Sequence, residues 1–231
     1  MSDRLAQLEA QVAAMAVRLQ RQEDEAAIRR LHHAYGYFMD YCWYDEVIDL
    51  FARDGEAVFL SGVYRGHASL RRLYVDFLGT AYTGGARGPV HGFLADHFLL
   101  QDVISVAPDG QTATGRFRAL LMLGSHESRP GGNGPLPAQV YEAGLYENAY
   151  VREGGVWKIA RLEYALQWQA LYDKGWAHTV TDLPPALPPY PESPIGPDRL
   201  LPATRKVWPE RSALPLSYAH PVTGRALPVE A

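Results

Sequence analysis

The sequence predicts an α+β fold in which helices close over one face of a strongly curved antiparallel sheet, leaving a cavity on the concave side. Three observations carry this expectation. Apolar residues recur at helical spacing through about the first eighty positions. From Val90 to Leu171 the texture changes to alternation with β-branched residues and glycine turns. Helices followed by a run of long strands is the order of segregated helix and sheet layers.

The first helix is expected from about Leu5 to Trp43. Leu5, Leu8, Val12, Met15 and Leu19 recur at alternating spacings of three and four, the a/d stripe of a short coiled coil, which must bury itself on the domain or on copies of itself. The stripe shifts register through Ile28, Leu31, Ala34 and Phe38, where the helix joins the main domain. A second helix is expected over Tyr44–Ala52, ended by an Asp54-Gly55 turn, then a short strand at Glu56–Leu60. His67–Tyr82 reads as a helix closed by Gly84-Gly85. Phe93–Val106 and Thr112–Leu123 read as strands joined at Pro108-Asp109-Gly110, where Pro fixes one backbone angle and Gly permits positive φ. Ser128–Pro137 is a loop by its glycines and prolines. Val140–Arg152 and Val156–Leu171 form a hairpin about Gly154-Gly155.

From Leu183 to Ala231 the chain differs in kind. This segment holds 12 of the 17 prolines, which exclude regular helix or inner strand, yet it keeps Tyr190, Trp208 and Tyr218. Few charges and retained aromatics fit an extended strap on a protein surface better than a disordered tail. The organisation is therefore a helical extension at 1–23, a central domain at 24–172 and a proline-rich strap at 173–231.

Composition removes several classes of function. With 22 basic and 26 acidic residues the net charge is −4, without the basic excess that nucleic-acid affinity requires. Cys42 stands alone, so neither an internal disulfide nor a cysteine-based zinc cluster is available. No stretch approaches the roughly 20 apolar residues of a membrane span and no secretory leader is visible, which points to a cytoplasmic protein. Phosphate-binding glycine loops, the dinucleotide fingerprint and the serine-hydrolase elbow are missing, and Gly124-Ser125-His126 does not supply the last. His32 and His33 are adjacent on a helix and point apart, so no metal ligand set is expected.

Polar residues in apolar, aromatic surroundings remain. Tyr35 and Asp40 are five apart on the first helix, about 500° of rotation, within one broad half of its surface. A strand over Val90–Leu100 carries His91 and His97, which are six apart and share a face with Phe93 and Ala95. A carboxylate beside such an imidazole fixes its tautomer and makes a general base. Each has a plainer reading. Asp40 is equally suited to capping a helix end, a strand histidine to a structural hydrogen bond, and the aromatic run Tyr35–Tyr44 to core packing. Arg116 and Arg118 are expected to face solvent or another subunit. Glu142, Gly144 and Tyr146 share a strand face, where a buried glutamate would require a reason.

The helix Ile28-Arg29-Arg30-Leu31-His32-His33-Ala34-Tyr35 through Asp40, followed by Asp49-Leu50-Phe51-Ala52-Arg53-Asp54-Gly55, resembles the SnoaL-like branch of the nuclear transport factor 2 (NTF2)-like superfamily. Val63-Tyr64-Arg65-Gly66 and Gly155-Val156-Trp157-Lys158-Ile159 stand where that family places them, and the resemblance covers about residues 24–172. It implies a cone: a curved antiparallel sheet around a pocket closed by N-terminal helices. Members similar in site layout include scytalone dehydratase, hexachlorocyclohexane dehydrochlorinase, bile-acid dehydratase and formaldehyde-releasing lyases of diaryl compounds, which use an Asp–His pair without metal or cofactor. The resemblance assigns the dyad to Asp40 and His97 and a hydrogen-bonding tyrosine to Tyr35. It turns Glu142 and Tyr146 toward the cavity, with Tyr37, His91, Phe93 and Phe117 as further substrate contacts.

The expectation is a cofactor-independent lyase acting on a hydrophobic, hydroxylated, aromatic small molecule by dehydration or formaldehyde release. A non-catalytic binding or assembly protein and a proton-shuttling isomerase of the ketosteroid type are the alternatives, since this fold hosts all three. Relatives of this type are often trimeric, and the Leu5–Leu19 stripe gives a reason to expect a homotrimer here.

Overall fold

The computed structural model describes residues 2–131, 139–202, 206–210 and 213–227. The expected Ser128–Pro137 loop therefore lies outside the described residues from position 132 onward. Helix α1 (Ser2–Asp40) is one unbroken element of 39 residues, about 58 Å long at the α-helical rise. It stops at Asp40 rather than Trp43, because Cys42 turns into the left-handed region at φ 53°. Residues 3–23 are exposed throughout, and burial begins at Asp24. The stripe residues Leu5, Leu8, Val12, Met15 and Leu19 stand 50–65% exposed, so none of the described residues covers them. Where the helix reaches the domain, Asp24 accepts hydrogen bonds from the Trp157 indole at 3.1 Å, from Gln20 at 3.0 Å and from Arg152.

Helix α2 (Tyr44–Asp49) is shorter than expected, and strand β1 (Phe51–Phe59) starts directly after it. Asp54-Gly55 is thus no turn. Gly55 lies in an irregular stretch of β1, where a Cβ would come within 2.7 Å of the Ile159 carbonyl oxygen. The glycine serves close backbone approach between strands. Strand β2 (Gly62–Arg65) follows, then a continuous helical stretch made of α3 (Gly66–Arg71), a π-helical segment Arg72–Gly79 and α4 (Thr80–Thr83). Four long strands complete the sheet: β3 (Phe93–Val106), β4 (Thr112–Ser125), β5 (Gln139–Glu153) and β6 (Val156–Leu171).

The strand order is β3-β4-β5-β6-β1-β2-β7, where β7 is the two-residue strand Arg199–Leu200. Every neighbouring pair is antiparallel except β1 and β6, which run parallel. The sheet is antiparallel as expected apart from this one junction, where β1 enters from the helices and docks beside the last long strand. Register breaks in the β3/β4 and β5/β6 ladders accompany the curvature of the open sheet. Helix α1 lies across the concave side, and Ile28, Tyr35, Val47, Leu70, Leu73, Phe117, Tyr146 and Ile159 form one buried cluster there.

Among its described residues the proline-rich segment forms only a short 3-10 turn at Trp176–His178 and the strand Arg199–Leu200, and it is held at discrete points. Asp198 accepts from the Arg65 main chain at 2.7 Å, Ser69 Oγ at 2.9 Å and Arg72 at 2.5 Å, and these bonds hold its carboxyl below the usual carboxylate range. Trp208 donates its main-chain N–H to Gln167 at 3.0 Å. Arg116, expected in solvent or at another subunit, pairs with Glu147 and reaches the Pro215 carbonyl at 2.5 Å. Among the described residues no helix is long and apolar enough to cross a membrane.

Candidate active site

Asp40 is the last residue of α1, and His97 lies on the edge strand β3 beneath it. The approach of helix to strand depends on Gly36, buried one turn earlier. A Cβ there would stand 2.8 Å from Leu99 Cδ1 and 3.7 Å from His97 Cβ. With hydrogen in its place, Asp40 Oδ1 comes 2.6 Å from His97 Nδ1 and also accepts the His97 main-chain N–H at 2.9 Å. An oxygen in that position requires Nδ1 to carry the proton, which leaves the Nε2 lone pair for chemistry. Both side chains are largely shielded, at 8% and 16% exposure.

A tyrosine cluster occupies the same interior. Tyr35 is buried, with its hydroxyl 3.5 Å from that of Tyr74, and burial pushes its phenol up to about 12. The Tyr146 ring lies 5.9 Å from Tyr35 and 4.8 Å from Tyr164. Phe117 is fully buried and packs on His32 at 3.9 Å. Half-buried Phe93 stacks on Tyr82, with the Arg129 guanidinium 5.1 Å above its ring.

Glu142 faces this interior from β5 and is 7% exposed. It accepts a hydrogen bond from Gln169 Nε2 at 2.7 Å. Burial raises its carboxyl above the ordinary 4.5, against the opposing pull of Gln169, Tyr164 and His97. Gly144 makes the arrangement possible, since a Cβ there would meet the Tyr164 ring at 2.5 Å. The Cε2–Cζ edge of the ring and its hydroxyl lie against the glycine, and the hydroxyl stands beside Glu142.

Two expected contacts fall elsewhere. Tyr37 is 64% exposed, because two helical residues, about 200° of rotation, carry it to the face opposite Tyr35. His91 does not share the face of His97: the strand begins at Phe93, and Gly92 at φ 74° breaks the alternation. His91 is exposed and pairs with Ser128 Oγ at 2.9 Å.

His32, set aside in the sequence because its neighbour His33 points away, lies at the base of the interior. The Glu163 main chain donates to Asn148 Oδ1 at 3.2 Å, so the Asn148 amide N–H faces His32 Nδ1, also at 3.2 Å. Burial holds His32 near a pKa of 3, and neighbouring His33 and His97 push in the same direction. It is a neutral core imidazole stacked between aromatic rings. The usable signal was its spacing of three from Tyr35, one helix face. Tyr164 and Gln169 were also missed, although each pairs across the β5/β6 ladder with an expected interior residue, Tyr146 and Glu142. Among the described residues no group of three or more His, Cys, Asp or Glu side chains is arranged to hold a metal ion.

Helices over an open, curved sheet, with a carboxylate at a helix end bonded to an imidazole on the edge strand, define the class of fold and site. The profile of the SnoaL-like domain matches residues 20–163, more than half of the chain. The chain belongs to that SnoaL-like family. No curated protein gives a significant match. Among solved structures, a scytalone-dehydratase-like protein of Novosphingobium aromaticivorans DSM 12444 is similar at 19% identity and a TM-score of 0.53, over 72% of this chain and 95% of the other. Hexachlorocyclohexane dehydrochlorinase LinA-type3 of Novosphingobium barchaimii LL02 is similar at 17% identity and a TM-score of 0.53, over 71% and 99%. At these identities the likeness is one of fold.

Proposed function

We propose that the protein is a lyase that needs no cofactor and acts on a hydrophobic, hydroxylated, aromatic small molecule. The observation that carries this reading is the 2.6 Å bond between Asp40 Oδ1 and His97 Nδ1 within an apolar, tyrosine-rich interior. His97 Nε2 removes a proton from the substrate. Asp40 holds the ring through Nδ1–H and the main-chain N–H, and offsets the charge of the imidazolium that forms. Tyr35, kept neutral by burial, donates a hydrogen bond to the oxygen on which charge develops. Solved structures of similar fold bear the names scytalone dehydratase and hexachlorocyclohexane dehydrochlorinase, and an elimination is the chemistry these names share.

A panel of aryl diols and aryl β-hydroxy ketones, followed by mass spectrometry, tests the reading. Loss of water or formaldehyde marks a lyase, and a product of unchanged mass marks an isomerase. His97→Ala is expected to lower turnover by about 10²- to 10⁴-fold, roughly 3–5 kcal/mol of barrier, with the fold intact. Full turnover by that variant removes His97 from the mechanism. Asp40→Asn separates catalysis from binding: retained ligand affinity with lost turnover supports the enzyme, whereas a wild type that binds the panel and converts none of it supports the binding protein.

A further inference from the structure

His97, Leu121, Glu142 and Gln169 form one row across the sheet: His97 pairs with Leu121, Leu121 with Glu142, and Glu142 with Gln169. Directly paired residues project from the same face, so the imidazole and the carboxyl look into one interior with a single leucine between them. Two strand spacings separate their backbones, roughly 10 Å. An elimination across two adjacent carbons needs a base at the C–H end and an acid at the oxygen end. With hydrogen bonds of about 2.7 Å at each end and about 3 Å for the reacting unit, those groups stand about 8 Å apart. Backbones roughly 10 Å apart whose side chains enter one interior are compatible with that spacing.

We propose that Glu142 is the general acid of this site, handing its proton to the hydroxyl that leaves while His97 takes the proton from carbon. The proposal rests on the reading of His97 as the base. It narrows the substrate class to compounds with an acidic C–H on the carbon next to one bearing a hydroxyl, and the reaction to dehydration. The C–H bond breaks and its proton goes to His97 Nε2. The electron pair forms the double bond, the C–O bond breaks, and the oxygen takes the Glu142 proton and leaves as water. Return of the imidazolium proton to the carboxylate through solvent resets the pair.

The surroundings favour an un-ionised carboxyl. Among the described residues no lysine or arginine pairs with Glu142. The groups that face it are Gln169 and Tyr164 from β6, Tyr146 from β5, Tyr82 from α4 and His97 from β3. A glutamine at this position would serve packing and the Gln169 bond equally well, so structure alone gives no reason for an acid here.

Two measurements on the full chain test the proposal. In protein labelled with carbon-13 at glutamate carboxyls, with the Glu142 signal assigned by its loss in Glu142→Gln, that carboxyl is expected to titrate above the ordinary 4.5. Titration at or below 4.5 overturns the proposal. The kinetic probes are the benzaldehyde–acetone aldol, which must lose hydroxide, and its acetate ester, which leaves without a proton. Glu142→Gln is expected to lower kcat/KM on the aldol by about 10²- to 10⁴-fold and on the ester by less than about threefold. Equal losses on both mean a structural role and refute the acid. His97→Ala is expected to lower both reactions by about 10²- to 10⁴-fold. If it lowers neither while Glu142→Gln still separates the probes, the base reading fails and the acid stands. If the wild type converts neither probe, the titration alone decides.

Discussion

Replacing Gly36 by alanine tests whether the dyad depends on close approach between α1 and β3. Two effects oppose each other. Alanine in a helix interior is favoured over glycine by about 1 kcal/mol. The new methyl, however, would stand 2.8 Å from Leu99 Cδ1 and 3.2 Å from Leu99 Cγ. Restoring ordinary carbon–carbon contact requires about 0.7 Å of movement, and overpacking of this kind costs about 1–3 kcal/mol. The expected net effect is a loss of about 0–2 kcal/mol. If the strand takes up the movement, the Asp40–His97 bond lengthens from 2.6 Å past the range of a good hydrogen bond. Urea unfolding of wild type, Gly36→Ala, Leu99→Ala and the double variant closes a thermodynamic cycle, in which Leu99→Ala is expected to relieve the clash with a coupling of about 1 kcal/mol or more. A Gly36→Ala protein that gains the full ~1 kcal/mol of helix propensity, with no coupling to Leu99, refutes the reasoning.

Further outcomes follow from the same geometry. Gly144→Ala drives a methyl into the rigid Tyr164 ring at 2.5 Å, and thermal unfolding should show a loss near the upper end of about 1–3 kcal/mol. His32 titrates near 3 in the native protein against 6.5 when unfolded, so between those values the unfolded chain binds a proton that the native state does not, and stability rises with pH. Wild type should lose about 2 kcal/mol more than His32→Gln on going from about pH 7 to about pH 5, by urea titration. Removing residues 2–20 deletes the exposed stripe, and light scattering should then report a smaller particle; an unchanged size dissociates the coil from self-association.

The helix-then-sheet order and the β3–β6 strands could be read in advance, because each is encoded by local periodicity over many residues, whereas periodicity left Asp40 and the strand histidine with plainer readings and only the family resemblance paired them. What escaped depends on contacts between distant segments. Asp54-Gly55 has turn composition, yet the neighbour at Ile159 decides its role. Gly92 ends the alternation that would have carried His91 into the interior. Tyr37 and Tyr35 look alike in sequence and differ by half a helical turn. His32 is bonded by Asn148, a partner 116 residues away that no local pattern announces. Glu142 could be placed on a face by alternation, but its burial depends on Tyr164 folding over Gly144.

The parallel pairing of β1 with β6 also dictates the order of assembly during synthesis. Phe51 must wait for Ile159, roughly a hundred residues later, before its edge is covered, a delay of about 5–20 s at common rates of translation. Until then the helices and the β1/β2 ribbon emerge as half a core with an open seam. Closing that seam is a non-local event of the kind that slows folding. Chains cut short before β6 is complete would therefore expose this seam to chaperones and to one another, whereas those released after it would need only to lay the strap.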